Sequence, residues 1–96
     1  MSKIRISPKA DNDLLEMWLY SFEEWGEAQA EHYYSLIYTG IDRLGDNPRL
    51  GKACDFVSQG YRSLSVERHV VYYQLHDGFI DIMRVLHERM RPINHL

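Results

Sequence analysis

The sequence of 96 residues has a single cysteine, no long apolar run and fewer basic than acidic residues. Its one cysteine, Cys54, excludes an internal disulfide and cannot by itself form a thiolate metal site. No apolar run approaches the roughly 20 residues of a transmembrane helix, and residues 1–7 lack the apolar segment of a signal peptide. These absences predict a cytoplasmic protein that does not associate with membranes.

The charge balance argues against a protein that holds nucleic acid on its own. The formal net charge is −3. Residues 1–48 contain four basic and nine acidic residues, net −5, whereas residues 49–96 contain seven basic and five acidic residues, net +2. Affinity for a phosphate backbone comes chiefly from Lys and Arg. The total still leaves room for a local basic patch in the second half.

Several motifs that carry chemistry are also missing. The sequence has no glycine-rich phosphate loop, no serine-nucleophile constellation and no paired-carboxylate motif. His69 and His76 lie seven residues apart on one predicted strand, hence on opposite faces, and cannot share a metal within that strand. His32 and His95 have no partner at ligand spacing. We therefore predict no metal and no cofactor.

Three short strand patterns follow one another in the second half of the chain. They cover residues 61–66, 69–76 and 79–87, and the middle one is rich in β-branched and aromatic residues, which favours a central strand. Asp77 and Gly78 between two apolar runs predict a hairpin turn. Alternation in the third strand predicts two faces: Ile80, Ile82, Arg84 and Leu86 on one, and Phe79, Asp81, Met83, Val85 and His87 on the other.

Two amphipathic helices precede these strands. Ser7 and Pro8 form a helix start, with a hydroxyl N-cap and a proline at the first helical position, and Gly26 ends the helix. The second helix is predicted from about residue 27 to 44, stopped by Gly45 and by Asn47-Pro48. The predicted buried stripes are Leu14, Leu15, Trp18, Leu19, Phe22 and Trp25 in the first helix, and Ala30, Tyr33, Tyr34, Ile37, Ile41 and Leu44 in the second.

Residues 3–6 alternate polar and apolar, which predicts an edge strand with Ile4 and Ile6 facing inward. Residues 46–60 read as a loop anchored by Leu50 and Phe56. The order is β-α-α-β-β-β. It predicts one α+β domain over residues 1–96, with a helical hairpin packed on one face of a small, mainly antiparallel sheet.

Five fragments of the chain together resemble a known family. They are SPKADNDLLEMW at 7–18, NPRLG at 47–51, GYRSL at 60–64, VVYYQL at 70–75 and IDIMRVLH at 80–87. Their order and spacing are similar to the ParE branch of the RelE/ParE toxin superfamily. The resemblance implies the toxin of a type II toxin-antitoxin system, with roles in growth arrest and plasmid maintenance. It also implies a ParD-like antitoxin that lays an amphipathic segment along the toxin, in a hetero-oligomeric complex that binds operator DNA through the antitoxin.

The superfamily contains two activities on one fold. ParE toxins poison DNA gyrase, and RelE-like relatives are ribosome-dependent mRNA endonucleases. An endonuclease needs a base, an acid and cations around one phosphate. The possible equivalents here are Lys52, Arg62, Arg68, Arg84 and His87. No second lysine occurs from residue 51 onward, and Arg84 and His87 should point to opposite faces of their strand. The residues favour a gyrase inhibitor without catalytic residues; an endonuclease and an inactive co-repressor remain alternatives.

Two sets of binding residues are expected. The tail HERMRPINHL at 87–96 is expected to be exposed. The resemblance to ParE toxins implies that this end is needed for toxicity toward gyrase, with Arg89, Met90, Arg91 and Ile93 as the target-binding residues. The residues predicted to contact the antitoxin are Arg62, Met83 and Arg84. Arg84 stands among apolar residues and needs a carboxylate or carbonyl partner, either as an internal ion pair or at the base of an antitoxin groove.

Overall fold

The computed structural model describes residues 2–96, which form a five-stranded sheet with two helices packed on one face. The elements are β1 Lys3–Ile6, α1 Pro8–Trp25, α2 Glu27–Asp46, β2 Lys52–Ala53, β3 Tyr61–Val66, β4 His69–His76 and β5 Phe79–His87. The strand order is β1-β5-β4-β3-β2, so β4 is central as predicted. β1 runs parallel to β5 and the other pairs are antiparallel. The α+β prediction is confirmed, although β2 was not foreseen because a strand of two residues leaves no periodic pattern.

Single residues form the joints between the first elements. Ser7 ends β1 and caps α1: its hydroxyl accepts from the Ala10 amide at 3.0 Å and donates to the Met83 carbonyl at 2.8 Å. Gly26, with φ of 89°, ends α1 and begins α2. The end of α2 was predicted two residues too early. Gly45 is still part of the helix. The helix backbone lies close to Ser2 at this point, which favours a glycine, and the Ser2 amide donates to the Gly45 carbonyl at 2.9 Å.

Of the predicted inward stripe of α1, only Leu14 is fully buried. The residues that α1 buries are Ala10, Leu14, Met17 and Ser21. The larger side chains of the predicted stripe lie mostly outside the core: Leu15, Leu19, Phe22 and Trp25 are exposed. Both stripes have helical spacing, so periodicity could not choose between them. The one with small residues faces inward because it lets the helix approach its neighbours closely.

The main core lies between the helices and the sheet. It is formed by α1, α2 and the helix-facing side of β4 and β5, and its members include Leu14, Ile37, Ile41, Leu44, Val71, Tyr73, Ile80, Ile82 and Val85. A smaller cluster on the opposite face joins Cys54, Tyr72 and Leu86. Neither helix within residues 2–96 is long and apolar enough to cross a membrane.

The loop before β3 is anchored differently from the prediction. Leu50 packs against the main core as expected, but Phe56 is 85% exposed and anchors nothing. Cys54 is the buried residue of this segment. Burial raises the pKa of its thiol. Hydrophobicity alone did not indicate that the cysteine of this loop, and not the phenylalanine, would be buried.

The two faces predicted for β5 are correct only up to Ile82. Tyr73 pairs with Ile82 and Tyr72 pairs with Arg84, so Met83 is an extra residue in β5 and forms a β-bulge. The bulge exchanges the faces of all later residues. Val85 joins Ile80 and Ile82 in the main core, whereas Leu86 lies in the cluster on the opposite face.

Candidate functional site

The C-terminal tail presents the residues that were predicted to bind the target. Arg89, Met90, Arg91 and Ile93 are all exposed. The chain leaves the sheet after His87, where the Glu88 amide donates to the Arg68 carbonyl at 2.8 Å. Pro92–Asn94 then form a single 3₁₀ turn, with the proline at its first position. Two cationic and two apolar side chains therefore stand on a short, turned segment.

Arg84 meets a carboxylate inside the protein. Its Nε and Nη2 donate to the two carboxylate oxygens of Asp13 at 2.7 and 2.8 Å. The Arg84 and Asp13 side chains are only 17% and 9% exposed. The hydrogen bond to Asp13 raises the pKa of Arg84. Its third group, Nη1, donates to the carbonyl of His95 in the tail. The guanidinium is thus engaged on both sides by the protein itself.

Asp13 also completes the edge of the sheet. β1 pairs with β5 only as far as Ile6 and Ile82, so the edge of β5 beyond this point has no neighbouring strand. The Asp13 carboxylate, from α1, accepts the amide of Val85 at 3.0 Å. One carboxylate therefore stabilises both the backbone just after the β-bulge and the buried guanidinium, and leaves neither donor without an acceptor.

The other basic candidates do not converge with Arg84. Arg62 pairs with Tyr73, whose side chain is in the main core, and so faces the helices; Arg84 pairs with Tyr72 on the opposite face. Arg62 Nη2 donates to the carbonyls of Gly51 and Arg49 at 2.6 and 3.3 Å. Its Nε is buried and has no hydrogen-bond partner within residues 2–96. Lys52 is exposed on the two-residue strand β2.

His87 lies in a cluster that sequence reasoning did not find. It pairs with His69 across β4 and β5, with ring centroids 5.4 Å apart, and Tyr33 Oη lies 2.7 Å from His69 Nδ1. The Tyr33 hydroxyl also accepts the Arg68 amide. Burial and then the neighbouring His87 lower the pKa of His69 to about 4, and burial raises the pKa of Tyr33. Arg84 and His87 lie on opposite faces, as predicted. The hairpin register set at Asp77-Gly78 would place Leu86 opposite His69. The β-bulge at Met83 brings His87 there instead, so the sequence carried no signal for this cluster.

A groove of about 410 Å³ lies beside the tail. Its lining residues are Ser7, Pro8, Lys9, Tyr61, Met83, Arg84, His95 and Leu96. Of the three residues predicted to contact an antitoxin, Met83 and Arg84 share this groove and Arg62 does not. The groove is therefore bounded by the start of α1, the outer face of the sheet and the end of the tail.

The outward face of α1 is an unexpected apolar surface. Leu15 is 54% and Trp25 63% exposed, with Leu19 and Phe22 between them; we name these four residues the α1 apolar surface. The Trp18 ring stacks on Phe22 with centroids 5.2 Å apart. Exposed carboxylates flank the surface along the helix: Glu16, Glu23 and Glu24. A contiguous apolar patch with a charged rim is typical of a protein-binding site.

Comparisons with known proteins agree with this architecture. A family model described as the ParE toxin of the type II toxin-antitoxin system parDE matches residues 4–92. The chain is 43% identical to Toxin ParE1 of Mycobacterium tuberculosis over 90 residues, 93% of this chain and 92% of that protein. It is 33% identical to Toxin ParE1 of Caulobacter vibrioides over 96 residues, all of this chain and 99% of that protein. The fold matches a solved chain of the chromosomal ParDE system from P. aeruginosa, with a TM-score of 0.81 and 19% identity over 91% of this chain and 96% of that one. The chain therefore belongs to the family of ParE toxins of type II toxin-antitoxin systems.

Proposed function

We propose that this toxin inhibits DNA gyrase through its C-terminal tail, with Arg89, Met90, Arg91 and Ile93 as the target-binding residues. The observation that supports this proposal is a difference between two pairs of arginines, one hydrogen-bonded within the protein and the other exposed. Arg84 and Arg62 are held by acceptors within the protein, whereas Arg89 and Arg91 are exposed on the tail. Of these four arginines, the two on the tail are therefore the ones free to meet a large partner.

The same contrast disfavours an mRNA endonuclease. A phosphorane must be surrounded by an acid, a base and free cations at hydrogen-bonding distance. To bind a phosphate, Arg84 would have to break its ion pair with Asp13. This would leave a buried carboxylate without a partner and strongly reduce the stability of the fold. His87 and Arg62 face the helices and Arg84 faces the other side of the sheet. These positions do not offer a single phosphate site.

The decisive experiment runs two assays side by side on the purified protein. One measures gyrase-dependent cleavage of supercoiled plasmid, and the other measures cleavage of messenger on translating ribosomes. We expect linear DNA that requires gyrase, with intact messenger. Cut messenger with unaffected gyrase would refute the proposal and make His87, Arg84, Arg62 and Lys52 the catalytic candidates.

A deletion of residues 90–96 tests the role of the tail. These residues contribute no helix or strand to the sheet and its core. The truncated protein should keep its melting temperature and bind its antitoxin, yet no longer arrest growth. Unchanged toxicity would refute the tail as the target-binding segment. Harmlessness of the full chain without antitoxin would instead indicate an inactive co-repressor.

The α1 apolar surface supports a ParD-like antitoxin as the partner. An amphipathic segment could cover Leu15, Leu19, Phe22 and Trp25, and basic residues beside its apolar stripe would meet the carboxylates along α1. Arg62, Met83 and Arg84 remain the earlier candidates for antitoxin contact, and only the last two lie together. We assign operator-DNA binding to the antitoxin because this chain is net negative, and we place the pair in the cytoplasm.

A further inference from the structure

Within residues 2–96, the end of the tail is joined to the body by a hydrogen bond from one side chain, beside the groove that His95 and Leu96 help to line. Residues 91–96 hydrogen-bond among themselves in the 3₁₀ turn, through the amides of Asn94, His95 and Leu96. Among the hydrogen bonds of residues 2–96, the one from Arg84 Nη1 to the His95 carbonyl is the one that joins this segment to the strands and helices. The path of the tail therefore depends on where this guanidinium is held.

Asp13 decides where the Arg84 guanidinium is held. A bidentate pair fixes both the position and the plane of a guanidinium, which a single hydrogen bond does not. Because Asp13 also accepts the Val85 amide, it is itself fixed relative to β5. The β-bulge at Met83 contributes by turning Arg84 away from the main core toward the groove. Nη1 is thus directed at one point beside the sheet.

We propose that Arg84 is a positioning residue that, held by Asp13, keeps the tail in the conformation that binds the target. This inference rests on the proposed role of the tail in toxicity. A segment that is already ordered loses less conformational entropy when it binds, so the attachment increases affinity without touching the target. Arg84 then acts through the tail, while Arg89, Met90, Arg91 and Ile93 make the contacts.

The test compares Arg84→Lys with Arg43→Lys as the matched control. Lysine keeps the charge beside Asp13, but its single ammonium lacks the planar fork that serves a carboxylate and a carbonyl from fixed positions. Arg43 is exposed on α2 and is not part of the site. Three quantities are measured for each protein: the melting temperature, the ¹H–¹⁵N heteronuclear NOE of residues 91–96, and the concentration that gives half-maximal gyrase-dependent cleavage.

The positioning role predicts a specific combination of results. In Arg84→Lys the tail amides should become mobile on the nanosecond timescale, and about tenfold more protein should be needed for the same cleavage. The melting temperature of Arg84→Lys should fall, because a weaker contact replaces a buried bidentate pair, but should stay above the assay temperature. Arg43→Lys should match the wild type in all three measurements. A tail that stays rigid, or a mobile tail with unchanged gyrase inhibition, would overturn the proposal.

A second variant covers the case in which Arg84→Lys fails to fold. Removing only His95 and Leu96 deletes the acceptor for Nη1 and leaves Asp13, Arg84 and all four target-binding residues in place. The same mobility and the same loss of inhibition are expected, and their absence would refute the attachment. Full activity of the protein lacking residues 90–96 would refute the tail's role itself, so the two failures are distinguishable.

Discussion

The two helices carry similar sets of aromatic residues and use them in opposite ways. The rings of α1 are Trp18, Tyr20, Phe22 and Trp25, and most of them are directed outward. The rings of α2 are Tyr33, Tyr34 and Tyr38, and all three are partly buried against the main core. The same period of 3.6 residues thus gives a core face in one helix and an exposed apolar face in the other.

The difference follows from what each helix has on its inner side. α2 spans the sheet with large residues at its centre and with glycines where the backbone approaches other elements, such as Gly40 against Val66. α1 approaches its neighbours through Ala10 and Ser21, and Leu14 and Met17 fill the space between these two. The residues of the α1 apolar surface belong to neither core cluster described for residues 2–96, so they are available to another chain.

The largest expected difference in the free energy of unfolding is between alanine substitutions at two adjacent leucines of α1. Leu14→Ala opens a cavity in the main core and should lower the free energy of unfolding by about 2–5 kcal/mol. Leu15→Ala removes the same atoms from a surface position and should change it by less than about 0.5 kcal/mol. Urea denaturation of both variants gives the comparison. Similar losses would mean that Leu15 is also part of the core.

The contact between Tyr33 of α2 and His69 of β4 can be tested through the pH dependence of the free energy of unfolding. His69, bonded to Tyr33, has its pKa lowered to about 4, whereas an unfolded histidine binds a proton near 6.5. Between these values only the unfolded state is protonated, so stability should fall as the pH is lowered from 6.5 to 4. His69→Gln should reduce this slope by at most about 1.4 kcal/mol per pH unit.

The control for the pH experiment is His32→Gln, at an exposed position of α2. Urea denaturation at several pH values between 4 and 7 measures the slope for each protein. The His32 variant should follow the wild type throughout. If the His69 variant did the same, the histidine would not be buried in its neutral form.

The α1 apolar surface can be tested with two phenylalanines. Phe22→Ser removes a ring from this surface, and Phe56→Ser removes a ring that is even more exposed but lies on the loop before β3. If the antitoxin covers α1, Phe22→Ser should weaken its binding by about tenfold or more, and Phe56→Ser should have little effect. Calorimetric titration with the antitoxin distinguishes them. Equal affinities would move the antitoxin site away from α1.

The smallest effect is expected from a hydrogen bond that, within residues 2–96, joins the exposed sides of α1 and α2. Trp18 Nε1 donates to Glu31 at 3.2 Å in an exposed position. Trp18→Phe should cost no more than about 0.5–1 kcal/mol of unfolding free energy, because solvent replaces the bond. Glu31→Gln keeps an acceptor and should cost less still. A loss above this range would show that the two helices are held together at this surface.

Much of the fold was predictable because it depends on local chemistry. Ser7 and Pro8 set the start of α1, Gly26 set the joint between the helices, and Asp77-Gly78 set the hairpin. The choice between Leu14 and Leu15 was not local. Both satisfy the period, and the decision depends on how closely α1 can approach elements that come later in the chain.

The candidate site was predictable only in part. The role of the tail in binding the target was predicted by resemblance to the family and stays a prediction, whereas the exposure of its residues is confirmed. The partner of Arg84 was expected to be a carboxylate or a carbonyl, and it is both, but Asp13 is 71 residues away in sequence. The β-bulge at Met83 is invisible to alternation, which is why Leu86 was placed on the wrong face. Contacts of this kind depend on pairing between distant segments.

The pairing of β1 with β5 has a consequence for synthesis. Residues 3–6 are made before residues 79–82, the strand segment with which they pair. Strand pairs so distant in sequence close a long loop and form slowly. Until residues 79–82 have been translated, β1 lacks this neighbour and α1 lacks the edge of β5 that it covers. The native arrangement can therefore be completed only after β5 has left the ribosome.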